Sequence, residues 1–94
     1  AAGEEHCSTA YYAGYRYSSA GGRRLAELIQ ASMTTALDLP DGGSRGMSLP
    51  VLRETRMPAV ICEISPATVV VEQAPTIARA IVEALSEWVG TAWD

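Results

Sequence analysis

Glu63 closes an apolar run, Met57-Pro58-Ala59-Val60-Ile61-Cys62, and is the residue best placed to do chemistry. A carboxylate there must be solvated, paired or used. Open α/β sheets place their sites outside the carboxyl ends of their strands. Burial at such a place favours the protonated carboxyl and so suits a general acid/base, whereas a neighbouring metal would favour the carboxylate. The competing reading is a structural ion pair with Arg45, Arg53 or Arg56. Arg45 and Arg53 fall near the same end of the sheet, where a guanidinium can hold an anionic or carbonyl-bearing ligand. Solvation, or pairing with Glu54, Glu63 or Glu72, competes with that role.

The other candidate groups are weaker. Glu4, Glu5, His6 and Cys7 are consecutive and cannot all converge on one ion, so they read as a solvated segment entering a strand. His6 is the only histidine. Cys7 and Cys62 are the only cysteines. They either form one disulfide in an oxidising compartment or act as two buried thiols, small and apolar; their apolar neighbours favour the second. Tyr11, Tyr12, Tyr15 and Tyr17 either line a groove for a sugar or peptide or pack along a strand with their phenols at the rim.

These residues need elements to hold them. Ser8–Tyr12 is rich in Thr and Tyr and reads as a strand. Ser18 or Ser19 offers an N-cap, although Gly21 and Gly22 weaken the first turn and delay the helix to near Arg23. Leu25, Leu28, Ile29, Ala36 and Leu37 then recur on one helical face with Met33 at its flank, while Glu27, Gln30 and Thr34 face elsewhere. Pro40 and Asp41-Gly42-Gly43 stop the helix. Residues 42–46, GGSRG, read as a flexible loop, and 47–55 as an edge or irregular segment because of Pro50. Ala59–Cys62 lacks alternation, as strands buried on both faces do. Val69–Val71 is a short strand or an extended lead-in. Pro75 suits a first helical turn, and Ile77, Ile81, Ala84, Leu85 and Trp88 mark an amphipathic helix to about Val89, with Gly90 as its C-cap. Trp93 lies beyond it.

The order strand, helix, irregular segment, strand, helix is an α/β layout with a mixed or mostly parallel sheet. Residues 1–94 form a single small domain or part of a larger one. So few strands and helices make a thin core, which points to one half of a larger three-layer α/β/α domain or to a chain that needs a partner. The chain opens without Met and reads as processed or truncated. No signal-peptide pattern stands in it, and no apolar run has the length of a membrane span. Apolar residues are 48% and charged residues 19%, which excludes a disordered chain. The net charge is -4, with every basic residue an arginine, and this argues against nucleic-acid binding.

The run GGSRGMSLPVLRETRMPAVICEI, residues 42–64, resembles the C-terminal half of the zinc-dependent N-acetylmuramoyl-L-alanine amidases, which cleave peptidoglycan. The resemblance rests on an ordered set: Arg45-Gly46, Val51-Leu52-Arg53, Met57-Pro58, and the apolar strand ending in Glu63. AYYAG at 10–14 and SSAGGRRLAELIQ at 18–30 resemble the family's Tyr-Tyr strand and the helix after it. The resemblance implies a sheet with helices on both faces. It implies Glu63 as the acid/base, and peptidoglycan or a muropeptide as substrate or partner; Arg45 and Arg53 stand beside it as the substrate-binding candidates read from their positions. It also implies zinc, and a place in the cell envelope or outside the cell. The family's zinc ligands, two His and a Glu, lie before the part resembled, so the resemblance assigns no metal ligand within these residues; a missing N-terminal half or a partner chain would supply them. Where the family has Glu-x-Gly, an aromatic and then Asn, this chain has Glu63-Ile64-Ser65-Pro66-Ala67-Thr68. That departure admits a second reading, an inactive amidase-like domain that binds a muropeptide or a protein partner. A small α/β interaction module with no site is the third.

Overall fold

The computed structural model describes residues 5–14, 18–53 and 58–92, with the backbone alone at 51, 53, 91 and 92. Seven elements follow in order: β1 (His6–Tyr12), α1 (Ala20–Leu37), β2 (Asp41–Met47), α2 (Pro50–Arg53), β3 (Val60–Ser65), α3 (Ala67–Glu72) and α4 (Ala74–Ala92). The sheet order is β2-β1-β3. β1 runs parallel to β2 and antiparallel to β3, so the sheet is mixed. Parallel neighbours need a long crossover, and α1 supplies it as the middle of a β1-α1-β2 unit.

Ser19 starts α1. Its backbone is extended and its hydroxyl accepts from the Gly22 N–H at 2.9 Å. This cap satisfies an N–H that would otherwise have no partner, so the helix forms at Ala20 and not near Arg23. At the far end Asp38 takes a left-handed conformation and donates its N–H to the Thr34 carbonyl at 3.2 Å. The buried stripe is Leu25, Ile29, Met33 and Leu37, and Met33 is its centre. Ala36 is exposed and Leu28 only half-buried. Gln30, expected to face away, is buried against the sheet.

α4 lies against α1 and completes the core with Ile77, Ala80 and Ala84, helped by Ile81 and Trp88. Small alanines let the two helix backbones approach, and Ser32 Oγ donates across the contact to the Ala80 carbonyl at 2.8 Å. Trp88 Nε1 donates to the Gly21 carbonyl at 3.1 Å and so fastens α4 to the start of α1. Leu85, placed on the buried face from spacing, is exposed on the outer side with Val82 and Val89. Gly90 lies inside α4, which runs on to Ala92, and does not cap it. Trp93, Tyr15, Tyr17 and Arg56 lie outside the described residues.

Four further expectations are corrected. Residues 41–47 form β2 and not a loop. They have few β-formers, but pairing with β1 satisfies their backbone, and context outweighs a propensity worth at most about 1 kcal/mol. Within the segment read as irregular, Pro50–Arg53 forms the short helix α2, Pro being tolerated in a first turn. Val69–Val71 belongs to α3: Pro66 ends strand pairing, and Val69 N–H turns back to the Pro66 carbonyl at 3.0 Å. β3 is not buried on both faces. It is an edge strand, and Cys62 and Glu63 are exposed.

Two glycines in β2 are required by geometry. Cys7 pairs with Asp41 but Thr9 pairs with Ser44, so β2 carries one extra residue there. Gly43 takes φ +79 in this bulge. A Cβ at Gly46 would collide with Ala13 and press on the Tyr11 ring at 3.3 Å.

Candidate functional site

Residues paired across strands project from the same side of the sheet. Cys7, Thr9 and Tyr11 of β1 therefore share a face with Ile64, Cys62 and Val60 of β3. This face meets the helices: Cys7 is fully buried in the core, with Val60 and Ile64 packed beside it. Thr9 Oγ1 donates to the Ala26 carbonyl at 3.1 Å and lies 2.7 Å from Ser44 Oγ. Gln30 Nε2 donates to the Cys7 carbonyl and to Asp41 Oδ1, each at 2.7 Å. One helix side chain thereby joins α1 to both parallel strands.

The opposite face carries a groove. Ser8 and Ala10, small and buried, form the floor of a groove of about 310 Å³. Arg45 and Met47 of β2 stand on one side, Ile61 and Glu63 of β3 on the other, and Leu49 closes an end. Pairing sets these positions: Ala10 lies opposite both Arg45 and Ile61, and Ser8 lies opposite Glu63. The structure thus brings Glu63 and Arg45 to one groove, on either side of the central strand. Arg53 ends α2, an element that touches β1; its side chain lies outside the description.

Glu63 is not buried. Its side chain is 72% exposed, contrary to the burial expected at the end of an apolar run. The cause is its place on an edge strand of a face that no long helix covers among the described residues. Its ion-pair partner among the described residues is also not an expected one. His6 Nε2 lies 3.7 Å from Glu63 Oε1, with the imidazole 34% exposed. His6 pairs with Ser65 while Ser8 pairs with Glu63, so the two side chains meet diagonally on one face. Nothing in the sequence signals this, because the antiparallel register of β1 and β3 cannot be read from either segment alone. Arg45 has no ion-pair partner among the described residues.

The cysteines are free. Cys7 is buried as expected; Cys62, also expected to be buried, is exposed because β3 has no outer neighbour among the described residues. Burial pushes the Cys7 thiol up, the Asp41 carboxylate adds to this, and the Gln30 hydrogen bond opposes it. Cys62 is raised mainly by desolvation around its sulfur and further by Cys7. Tyr11 and Tyr12 are half-buried on opposite faces of β1, so they do not line one groove.

A zinc site takes at least three protein ligands. No group of three or more His, Cys, Asp or Glu able to hold a metal occurs among the described residues. His6 and Glu63 supply two donors only, so the described residues do not fit the ion.

Solved structures share this arrangement. The N-acetylmuramoyl-L-alanine amidase from Clostridium difficile 630 superposes with a TM-score of 0.80 at 20% identity, over 96% of this chain and 51% of that one. The catalytic domain of CwlV, an N-acetylmuramoyl-L-alanine amidase from Bacillus (Paenibacillus) polymyxa var. colistinus, gives 0.73 at 23% identity, over 93% and 50%. At such identities the likeness shows the fold, and the chain spans about half the length of either structure. No curated protein matches the chain. The family model for N-acetylmuramoyl-L-alanine amidase, however, matches residues 1–87, nearly the whole sequence, and with the fold agreeing independently the chain belongs to that family.

Proposed function

We propose that this chain forms the C-terminal half of a cell-wall hydrolase domain that cleaves the amide between N-acetylmuramic acid and L-alanine in peptidoglycan, at the cell envelope or outside the cell. Glu63 is the acid/base. The observation that supports this reading is the position of Glu63: the residue that the sequence resemblance sets at the family's acid/base position lines an open groove that also holds Arg45. Zinc, which the family implies, would be held by residues outside those described.

The chemistry asked of Glu63 is proton transfer. Its carboxylate takes a proton from the water that attacks the amide carbonyl. The C–N bond then breaks, and Glu63 returns the proton to the leaving amine. General acid–base catalysis contributes about 10²- to 10⁴-fold. Arg45, and Arg53 with it, would hold the carbonyl or carboxylate groups of the muropeptide. The substitution Glu63→Gln keeps the shape and removes the proton acceptor. In the full-length protein with zinc, release of muramoyl-linked L-alanine should fall by about 10²-fold or more; wild-type activity in that variant would remove Glu63 from the mechanism.

One observation favours a second reading. The segment after Glu63 turns at Pro66 directly into α3, where the family pattern has glycine and an aromatic residue. An inactive domain that binds muropeptide would keep the groove and lose turnover. Muropeptide binding by a wild-type protein that releases no L-alanine under any metal loading would establish it.

A further inference from the structure

Resting on the reading of Glu63 as the acid/base, we propose that His6 is a positioning residue for it, holding the carboxylate over the groove through its Nε2. Three observations carry this. His6 Nε2 lies 3.7 Å from Glu63 Oε1, at ion-pair distance but longer than a hydrogen bond; such contacts are often loose without substrate and tighten when it binds. The imidazole is about half as exposed as the carboxylate, 34% against 72%, so the more confined group holds the freer one. The strand register fixes both Cα positions: His6 and Glu63 sit diagonally across an antiparallel ladder, whose backbone sets their separation.

A glutamate on an edge strand samples several rotamers in solvent. Only those with an oxygen above the Ser8–Ala10 floor can reach an amide lying between Arg45 and Ile61. The His6 ring, with Nε2 3.7 Å from Oε1, selects among them. The other charged group facing the groove is Arg45, which stands across β1 on the far side. Of the two, His6 lies against Glu63 and Arg45 stands across the groove from it.

The expected size is modest, because an exposed pair of this kind is weak. In the full-length protein, His6→Ala should lower kcat by about 3- to 10-fold with KM changed less than about twofold, as orientation effects do. His6→Gln keeps an N–H near the Nε2 position and should stay within about twofold of wild type. In a Glu63→Gln background, His6→Ala should add less than about twofold, since the two act as one unit. With Glu63→Gln inactive, either of two results overturns the proposal: His6→Ala with wild-type kcat, or a His6→Ala loss that is multiplied in full onto the Glu63→Gln loss. If Glu63→Gln is fully active, the reading of Glu63 fails and the role of His6 fails with it.

Discussion

At the scale of single residues, the two thiols give the most direct test of the geometry. Cys7 is sealed in the core and Cys62 stands on an edge strand. A small thiol reagent should therefore modify one thiol per native chain and two in urea; two in the native chain would mean that the β1 face is open. Both thiols are raised, and the thiolate is the reactive form. Modification of Cys62 should thus be slow near neutral pH and quicken as pH rises. The same shifts bear on stability. The folded chain holds these protons more tightly than the unfolded one, so their contribution is complete below the unfolded thiol pKa. It is lost as pH rises through the raised folded values. Most of this falls to Cys7, because Cys62 is exposed. The melting temperature should decline on the alkaline side, and Cys7→Ala should flatten that decline. Glu63 and Arg45 were legible as site candidates because the sequence carries the ordered set of residues around them. His6 was not legible beside Glu63, because a contact across strands depends on a register that no local pattern reports.

At the scale of elements, the sequence signal followed burial. α1 and the buried stripe of α4 stand out because a helix buried on one face repeats its apolar residues every three or four positions. β2 and α3 were misread for opposite reasons. β2 has glycines where a strand would have β-branched residues, and its stability comes from β1. α3 has three consecutive valines where a strand would be expected, and Pro66 decides against it. Gln30 shows the same limit, since its polarity suggested solvent while its amide is used inside. Gln30→Ala would leave the Cys7 carbonyl and the Asp41 carboxylate without their shared donor. The expected cost is about 1 to 3 kcal/mol, read from the urea midpoint at unchanged slope. Met33→Ala, at the centre of the apolar stripe, should cost about 2 to 5 kcal/mol.

At the scale of the molecule, the chain is a slab of 37 × 32 × 18 Å. Its thickness is that of two layers, a sheet under α1 and α4, each about 10 Å deep. The larger three-layer domain expected from the sequence would need its third layer on the groove face, where no long helix lies among the described residues. Protection should follow the same plan. β1 is paired on both sides, and its amides should exchange slowest in native-state hydrogen exchange, with β2 and β3 faster along their outer edges. Equal protection in all three strands would mean that the edges are covered. The bulge in β2 has a bearing on this plan too. Asp41 and Arg45 are four residues apart and in a regular strand would point the same way. The extra residue between them changes the phase of the strand, so the acid turns toward Gln30 and the guanidinium toward the groove. A chain lacking Gly43 would keep every other partner in place, with Gly42 opposite Ser8. A chain lacking Gly46 would turn Met47 out of the groove. Neighbouring single-residue deletions should thus differ sharply: one shortens a spacer, the other shifts the reading frame of a surface.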